Sequence, residues 1–312
     1  MMSLEVLRQL ERFKITQINR LSGFHNRVFS GMHDANEIII RVTPINERRT
    51  QPQLEAEISL LNTLKKTLNV GAPYAIDGTT IMKRPPYYYI FFTKVKGAKW
   101  NELEHSETTY ALAGQNLAKL HNRLYSLNLS LCRDTYEAHP DIQLIYRLEP
   151  FYQTELAEVL KEIKAWDKNP DAYGIIHGDY LYSNLIYQKN AIGIIDFDDI
   201  EYHYYMYDIA VYLFYYLLGG DPSAIEIEPN IALFKAFMKG YRDVNQHIRI
   251  DLTKLPTLFR LRQLKLLATI KTMIPEEQRG VWQEKYIELT DQQLRHKQPF
   301  ISIDYQKLYQ TL

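Results

Sequence analysis

The segment from Ile175 to Phe197, IIHGDYLYSNLIYQKNAIGIIDF, constrains this chain more than any other. Two short apolar runs, Leu185–Tyr187 and Ile192–Ile195, flank the polar pair Lys189-Asn190. Runs of that length around a polar dipeptide predict the two strands of a tight hairpin. A hairpin folds its ends together, so Asn184 at one end and Asp196 at the other are expected side by side. An amide oxygen and a carboxylate aimed at one point suit Mg²⁺, a hard cation that accepts few protein ligands and keeps waters and phosphate oxygens for the rest. Asp179 lies five residues before Asn184 and 17 before Asp196, in the loop that precedes the hairpin. It is left free to orient or deprotonate a hydroxyl.

The flanking sequence divides into two kinds of material. Ile15–Leu21, Arg27–Gly31 and Glu37–Val42 read as strands, the first two joined by the turn Ser22-Gly23-Phe24-His25-Asn26. Gln53–Leu68 has apolar residues at helical spacing, and Thr79–Lys83 with Tyr87–Thr93 form a further strand pair after the turn at Asp77-Gly78. Lys94–Gly97 is a short polar connector. Beyond it the helical pattern prevails: Ser106–Leu127 with Ser106 as N-cap, Ile142–Trp166, Ile209–Leu218 with Asp208 as N-cap, Ile231–Val244, Leu255–Met273 and Pro275–His296. The expected class is α+β. Residues 1–93 make a small antiparallel-sheet lobe with one helix, 94–97 a hinge, and 98–312 a larger, mainly helical lobe containing the loop and hairpin.

Charge narrows the partners. Lys plus Arg and Asp plus Glu both number 37, so the net charge of +0 gives no case for nucleic acid or a membrane surface. Residues 1–100 nevertheless carry +7 and the remainder −7. A basic first part suits phosphates and an acidic second part a cationic acceptor, although such asymmetry also arises from solvated surface alone. Cys132 is the single cysteine, which excludes an intrachain disulfide and fits a reducing compartment. The start is amphipathic rather than secretory, and the longest apolar run, Ile209–Leu218, is too short to span a bilayer. A cytoplasmic location is expected. The chain has no G-x₄-G-K-[ST], G-x-G-x-x-G, H-E-x-x-H, C-x-x-C or G-x-S-x-G motif.

His177-Gly178-Asp179…Asn184 followed by Ile195-Asp196-Phe197 resembles the His-Gly-Asp-x₄-Asn loop and Ile-Asp-Phe/Trp motif of the aminoglycoside phosphotransferase and choline kinase superfamily. The resemblance implies a bilobal, protein-kinase-like fold. It also implies an ATP- (or GTP-) dependent kinase that moves the γ-phosphate to a hydroxyl of a small aminoglycoside-, choline- or homoserine-like molecule. Asp179 would be the catalytic aspartate, with Asn184 and Asp196 holding Mg²⁺. Arg41, where the family usually has Lys, would grip nucleotide phosphates, or else be a strand-end cation in solvent. Glu57 would aim it, with Glu55 as rival. Gly23 and Asn26 lie in the loop that would cover the nucleotide. By the same resemblance His177 is structural and Asp208 braces the catalytic loop.

Between Asp196 and Asp208 lie too few residues for a protein kinase's activation segment, which favours a small acceptor. Asp198, Asp199 and Glu201, close to the metal aspartate, point to a cationic or polyhydroxyl compound. The 24 tyrosines include Tyr212, Tyr215 and Tyr216, which offer a cage for an ammonium group but more readily a packed core. Two other readings are a catalytically retired nucleotide- or metabolite-binding or assembly protein, and metal-dependent hydrolysis through His177 and Asp179. The intact triplet Asp179, Asn184 and Asp196 argues against the first, and the lack of a further His/Asp cluster against the second.

Overall fold

A computed structural model describes residues 4–21, 26–45, 48–127, 129–218 and 231–311. It divides into two compact units. The first comprises residues 1–98 together with 186–198, the second 99–185 together with 199–312.

The first unit is built on an antiparallel sheet of β1 (Ile15–Leu21), β2 (Arg27–His33), β3 (Asn36–Pro44), β4 (Ile81–Arg84) and β5 (Tyr87–Thr93), in the order β1-β2-β3-β5-β4. The alternation of β3 decides what each face carries. Ile38, Ile40 and Val42 join Phe29, Tyr89 and Phe91 in one core, with Val6 and Leu10 of helix α1 (Leu4–Arg12). The intervening residues face the other way, where Tyr88 and Ile90 of β5 pack with Leu54 of helix α2 (Gln51–Leu64). Arg41 pairs with Ile90 in the sheet and therefore belongs to the α2 side. Helix α2 starts at Thr50, whose backbone N–H donates to the Gln53 side chain at 2.9 Å, and it ends at Leu64, four residues before the limit expected from Leu68. The hairpin of β7 (Leu185–Gln188) and β8 (Ala191–Ile194) forms around Lys189-Asn190 as the pattern predicts. Its two strands are clasped by the chain on both sides: Ile194 N–H donates to Asn69 O and Gly71 N–H to Ile194 O, while Ala98 and Tyr187 exchange both backbone bonds. These bonds group 186–198 with the sheet rather than with the helices that precede it in sequence.

The second unit is helical apart from β6 (Tyr173–Ile176) and β9 (Glu201–Tyr204), an antiparallel pair. Its helices are α3 (Glu107–Leu127), α4 (Pro140–Ile145), α5 (Pro150–Lys164), α6 (Met206–Leu218), α7 (Ile231–Val244), α8 (Leu255–Met273), α9 (Val281–Arg295) and α10 (Tyr305–Gln310). The helical material expected over Ile142–Trp166 is two helices: α4 ends at Ile145, and Pro150 opens α5 at its first position. Likewise Pro275 leads only a short turn, and α9 begins at Val281. Helix α8 is the hub of this unit: it packs on α4, α5, α6 and α9. No described helix is long and apolar enough to cross a membrane.

Helices α3 and α7 touch backbone to backbone. A Cβ on Gly114 would lie 2.0 Å from Phe237 O, and one on Gly240 would lie 2.1 Å from Ala111 O. Neither obstacle is a side chain that can swing aside, so the two helices would have to separate. Gly114→Ala is expected to destabilise the protein by about 1–3 kcal/mol, or more if the helices cannot part. Denaturant unfolding checks this, and a midpoint equal to that of the parent would refute the backbone contact.

Candidate active site

In the second unit, strand β6 ends at Ile176 and delivers the loop His177–Asn184. One buried carboxylate fixes the start of that loop. Asp208 Oδ2 accepts from His177 N–H at 2.8 Å and Oδ1 from Gly178 N–H at 2.8 Å, and Oδ2 also meets His121 Nε2 at 3.0 Å. Asp208 was expected to cap α6, but the helix begins two residues earlier at Met206. The side chain thus sits within the first turn and serves the neighbouring loop. Gly178 is held at φ +80, and a Cβ there would be 2.2 Å from Asp199 O, so the turn admits only glycine. His177 is fully buried, and its Nδ1 accepts from Asp179 N–H at 3.3 Å. The ring is thereby occupied in shaping the loop.

Asp179 follows, half-buried, with a partner on each carboxylate oxygen. Oδ2 accepts from Asn184 Nδ2 at 3.1 Å, and Oδ1 accepts from Arg262 Nη2 at 2.6 Å. The Asp179 carboxyl is pushed up, chiefly by burial, and the Arg262 charge offsets only part of that rise. Asn184 Nδ2 also donates to Asp179 O at 2.9 Å. With its N–H groups directed inward, Asn184 has its carbonyl oxygen to offer a hard cation, which fits the donor chemistry Mg²⁺ requires. Arg262 lies on α8, 83 residues from Asp179, and also donates to Tyr215 OH at 2.8 Å. Neither Arg262 nor Tyr215 was singled out for this place by the sequence. The available signal was a cation at a helical position between the apolar Leu258, Phe259 and Leu261 and the further apolar Leu264.

The first unit holds the other candidates. Arg41 forms a two-pronged ion pair with Glu57, Nη1 to Oε1 at 3.0 Å and Nη2 to Oε2 at 2.6 Å. Glu55 is exposed on the opposite side of α2 and takes Gln51 Nε2 instead. Arg41 Nη1 also approaches Asp198 at 3.6 Å and Asp196 at 3.9 Å. Burial by itself would lower the Arg41 pKa, but Glu57 and Asp198 outweigh it and hold the guanidinium firmly protonated. Arg41 is therefore no solvent-facing strand end. Asp196 stands at φ +61 with 51% of its side chain exposed, a left-handed backbone uncommon outside glycine. Asp198 is buried: Arg49 Nε donates to its backbone O at 2.9 Å, Arg48 Nε lies 3.6 Å from Oδ2, and Asn26 Nδ2 donates to Oδ2 at 3.2 Å. Asn26 also accepts from Thr43 OH at 3.0 Å, so both ends of its amide bind protein. Gly23 lies outside the described residues.

The acidic wall expected from Asp198, Asp199 and Glu201 does not form as an open surface. Asp198 is enclosed by arginines in the first unit. Glu201, in the second, is fully buried 3.7 Å from Lys265, its carboxyl pushed up to about 7 by that burial. Asp199 is largely covered and 3.3 Å from His139 Nε2. The tyrosines Tyr204, Tyr205, Tyr207 and Tyr212 are core residues.

A small sheet lobe with an Arg–Glu pair, and a helical lobe presenting an Asp–Asn loop, define a kinase-like phosphotransferase. The sequence profile of the phosphotransferase enzyme family, APH, matches residues 14–245, and the chain belongs to that family. It is an enzyme of small-molecule phosphotransfer. Over 315 residues it is 22% identical to amicoumacin kinase of Bacillus subtilis (strain 168), covering 95% of this chain and 92% of that protein. Among solved structures, an amicoumacin kinase in complex with AMP-PNP, Ca²⁺ and Ami shares the fold at a TM-score of 0.84 with 17% identity, covering 98% of this chain and 97% of the other. A microcompartment-associated aminopropanol kinase aligns at a TM-score of 0.68 with 20% identity over 94% and 98% of the two chains.

Replacing Asp208 by Asn would set an amide N–H₂ against one of the three donors that converge on the carboxylate. A buried donor left unpaired costs about 1–3 kcal/mol, and bonds to a charged acceptor exceed neutral ones. Asp208→Asn is expected to lower the midpoint of denaturant unfolding with little change of slope. A parent-like midpoint would show that the loop is held by other contacts.

Proposed function

We propose that the chain transfers the γ-phosphoryl group of ATP to a hydroxyl of a small molecule, with Asp179 as the catalytic aspartate. The observation that carries this reading is the setting of Asp179. It is a carboxylate on a loop tethered by Asp208, with one oxygen bound to Asn184 and the other to Arg262. Asp179 takes the proton of the acceptor hydroxyl and aligns its oxygen with the phosphorus. The Asn184 amide oxygen and the Asp196 carboxylate would hold Mg²⁺, and a bound ion would neutralise charge on the nucleotide phosphates. Arg41, held by Glu57, would face the α- and β-phosphate oxygens. The reaction is then one of positioning and charge compensation, with no covalent enzyme intermediate.

Residues 1–93 would carry the nucleotide and the helical unit the acceptor, hinged at 94–97. The acceptor is a small hydroxyl compound, with amicoumacin and aminopropanol, for which the relatives above are named, as the first candidates. A cationic acceptor is no longer favoured by charge, since the carboxylates invoked for it are internal. A cytoplasmic site of action agrees with an ATP-dependent reaction and the single cysteine.

A screen of antibiotics and amino alcohols, read as ADP release with ATP and Mg²⁺, tests the reading. One acceptor or more should raise ADP release well above the acceptor-free rate, and chelation of the metal should abolish it. Asp179→Asn is expected to bind ATP as the parent does, by calorimetry, while turnover falls by about 10²–10⁴-fold. A variant that keeps most of its kcat would move the proton-accepting role away from Asp179.

A further inference from the structure

Arg262 is the group in contact with Asp179 that the reaction above does not use. Its side chain is 10% exposed, so the guanidinium is a buried charge. One nitrogen, Nη2, serves both Asp179 Oδ1 at 2.6 Å and Tyr215 OH at 2.8 Å. The cation also lies over the Tyr215 ring, 5.0 Å from its centroid. Helix α8, which carries Arg262, is anchored among α4, α5, α6 and α9, and Tyr215 is on α6. Both are rigid elements of the same unit as the catalytic loop.

A carboxylate on a loop has two torsions by which to turn. Asn184 alone, itself part of that loop, gives Asp179 a hinge but no fixed plane. A second bond from a helix buried in the core supplies the missing reference point. Each carboxylate oxygen has two lone-pair sites, so the bond from Arg262 takes one of those on Oδ1 and leaves the other for a hydroxyl proton. We propose that Arg262 is the positioning residue of the phosphotransfer reaction: through Nη2, and backed by Tyr215, it sets the plane of the Asp179 carboxylate so that Oδ1 faces the acceptor hydroxyl. This rests on the assignment of Asp179 as the catalytic aspartate. Arg262 touches neither acceptor nor nucleotide in this role. Its loss should therefore appear in kcat and leave the KM for each substrate nearly unchanged.

The test compares Arg262→Ala, Arg262→Lys and Tyr215→Phe in the full chain, with the best acceptor from the screen. Misplacement of a reacting group by about 1 Å costs on the order of 10²-fold, and a fall in kcat of that size is expected for Arg262→Ala. Added guanidinium ion should restore at least a tenth of the parent rate to that variant and should do nothing for Asp179→Asn. Arg262→Lys keeps the charge but loses the planar fork, and should fall at least about tenfold at unchanged KM. Tyr215→Phe should fall less than either. Combined with Asp179→Asn, Arg262→Ala should cost nothing further. Should Arg262→Ala not fold, Arg262→Lys and its combination with Asp179→Asn decide the matter alone. A parent-like kcat in Arg262→Lys, a loss confined to the KM of the acceptor, or full additivity with Asp179→Asn would overturn the positioning role. Each of those results leaves the assignment of Asp179 as the catalytic aspartate standing if Asp179→Asn is itself inactive. If Asp179→Asn stays active, it is the assignment of Asp179 as the catalytic aspartate that falls.

Discussion

The carboxylate of Asp208 is the contact on which the loop carrying Asp179 depends. It has no solvent exposure, and a buried anion is tolerable only where donors surround it. Three do so, two of them backbone N–H groups of the loop and the third His121. His121 Nδ1 in turn lies 2.8 Å from Tyr241 OH. A line of hydrogen bonds therefore runs from α7 through α3 to α6 and into the loop at His177 and Gly178. Each group satisfies the next, and the close approach of Gly114 to Phe237 and of Gly240 to Ala111 brings α3 and α7 close enough for the line to close. The loop is rigid at the point where it turns, immediately before Asp179.

The first unit solves a similar problem with the opposite arrangement. Arg41, Arg48 and Arg49 meet Glu57, Asp196 and Asp198, three charges of each sign. Taking so many charges out of water is costly unless each one is matched, and here Asp198 takes all three arginines while Glu57 takes both prongs of Arg41. The match explains why arginine can stand where the family usually has lysine. Its planar fork reaches both oxygens of Glu57 and still leaves Nη1 within 4 Å of Asp196 and Asp198, whereas an ammonium is a single point. Asp196 is the exposed end of this group. It can take a ligand without uncovering the rest.

How much of this was legible follows from the range of each signal. The hairpin around Lys189-Asn190, the register that sends Arg41 towards α2, and the choice of Glu57 over Glu55 are local. Periods of 2.0 and 3.6 within a few residues determine them. The loop carrying Asp179 and Asn184 was legible from its motif. The helical material over Ile142–Trp166 was legible from apolar periodicity, and Pro150 marks where α5 opens. What could not be read was pairing between distant segments. Arg262 on Asp179, Asp198 among arginines from β3 and the start of α2, and Glu201 on Lys265 each join residues 60 or more apart, and no periodicity encodes which partner a buried charge will find. Reading Asp198, Asp199 and Glu201 as an exposed acidic run failed for this reason.

The same internal pairing bears on selectivity. The excess of basic residues in the first hundred positions and of acidic ones after them suggested two fields of opposite sign. Part of each excess is consumed inside: Arg41, Arg49 and Glu57 in one unit, Asp208, Glu201 and Lys265 in the other, all buried. A buried charge facing its counter-charge projects little field outward. Long-range steering of a charged acceptor is therefore a weak basis for choice, and contact must supply more of it. In the helical unit, Tyr182 and Tyr215 near Asp179 keep part of their surface accessible, as do Leu181 and Ser183 of the same loop. Tyr182, inside the catalytic loop, stacks on Trp100 at 5.6 Å, and Tyr215 lies beneath Arg262. Rings of this kind bury flat apolar area at little entropic cost and discriminate by shape. Under the function proposed above, a preference among hydroxyl compounds would then rest on contact with side chains such as these rather than on charge.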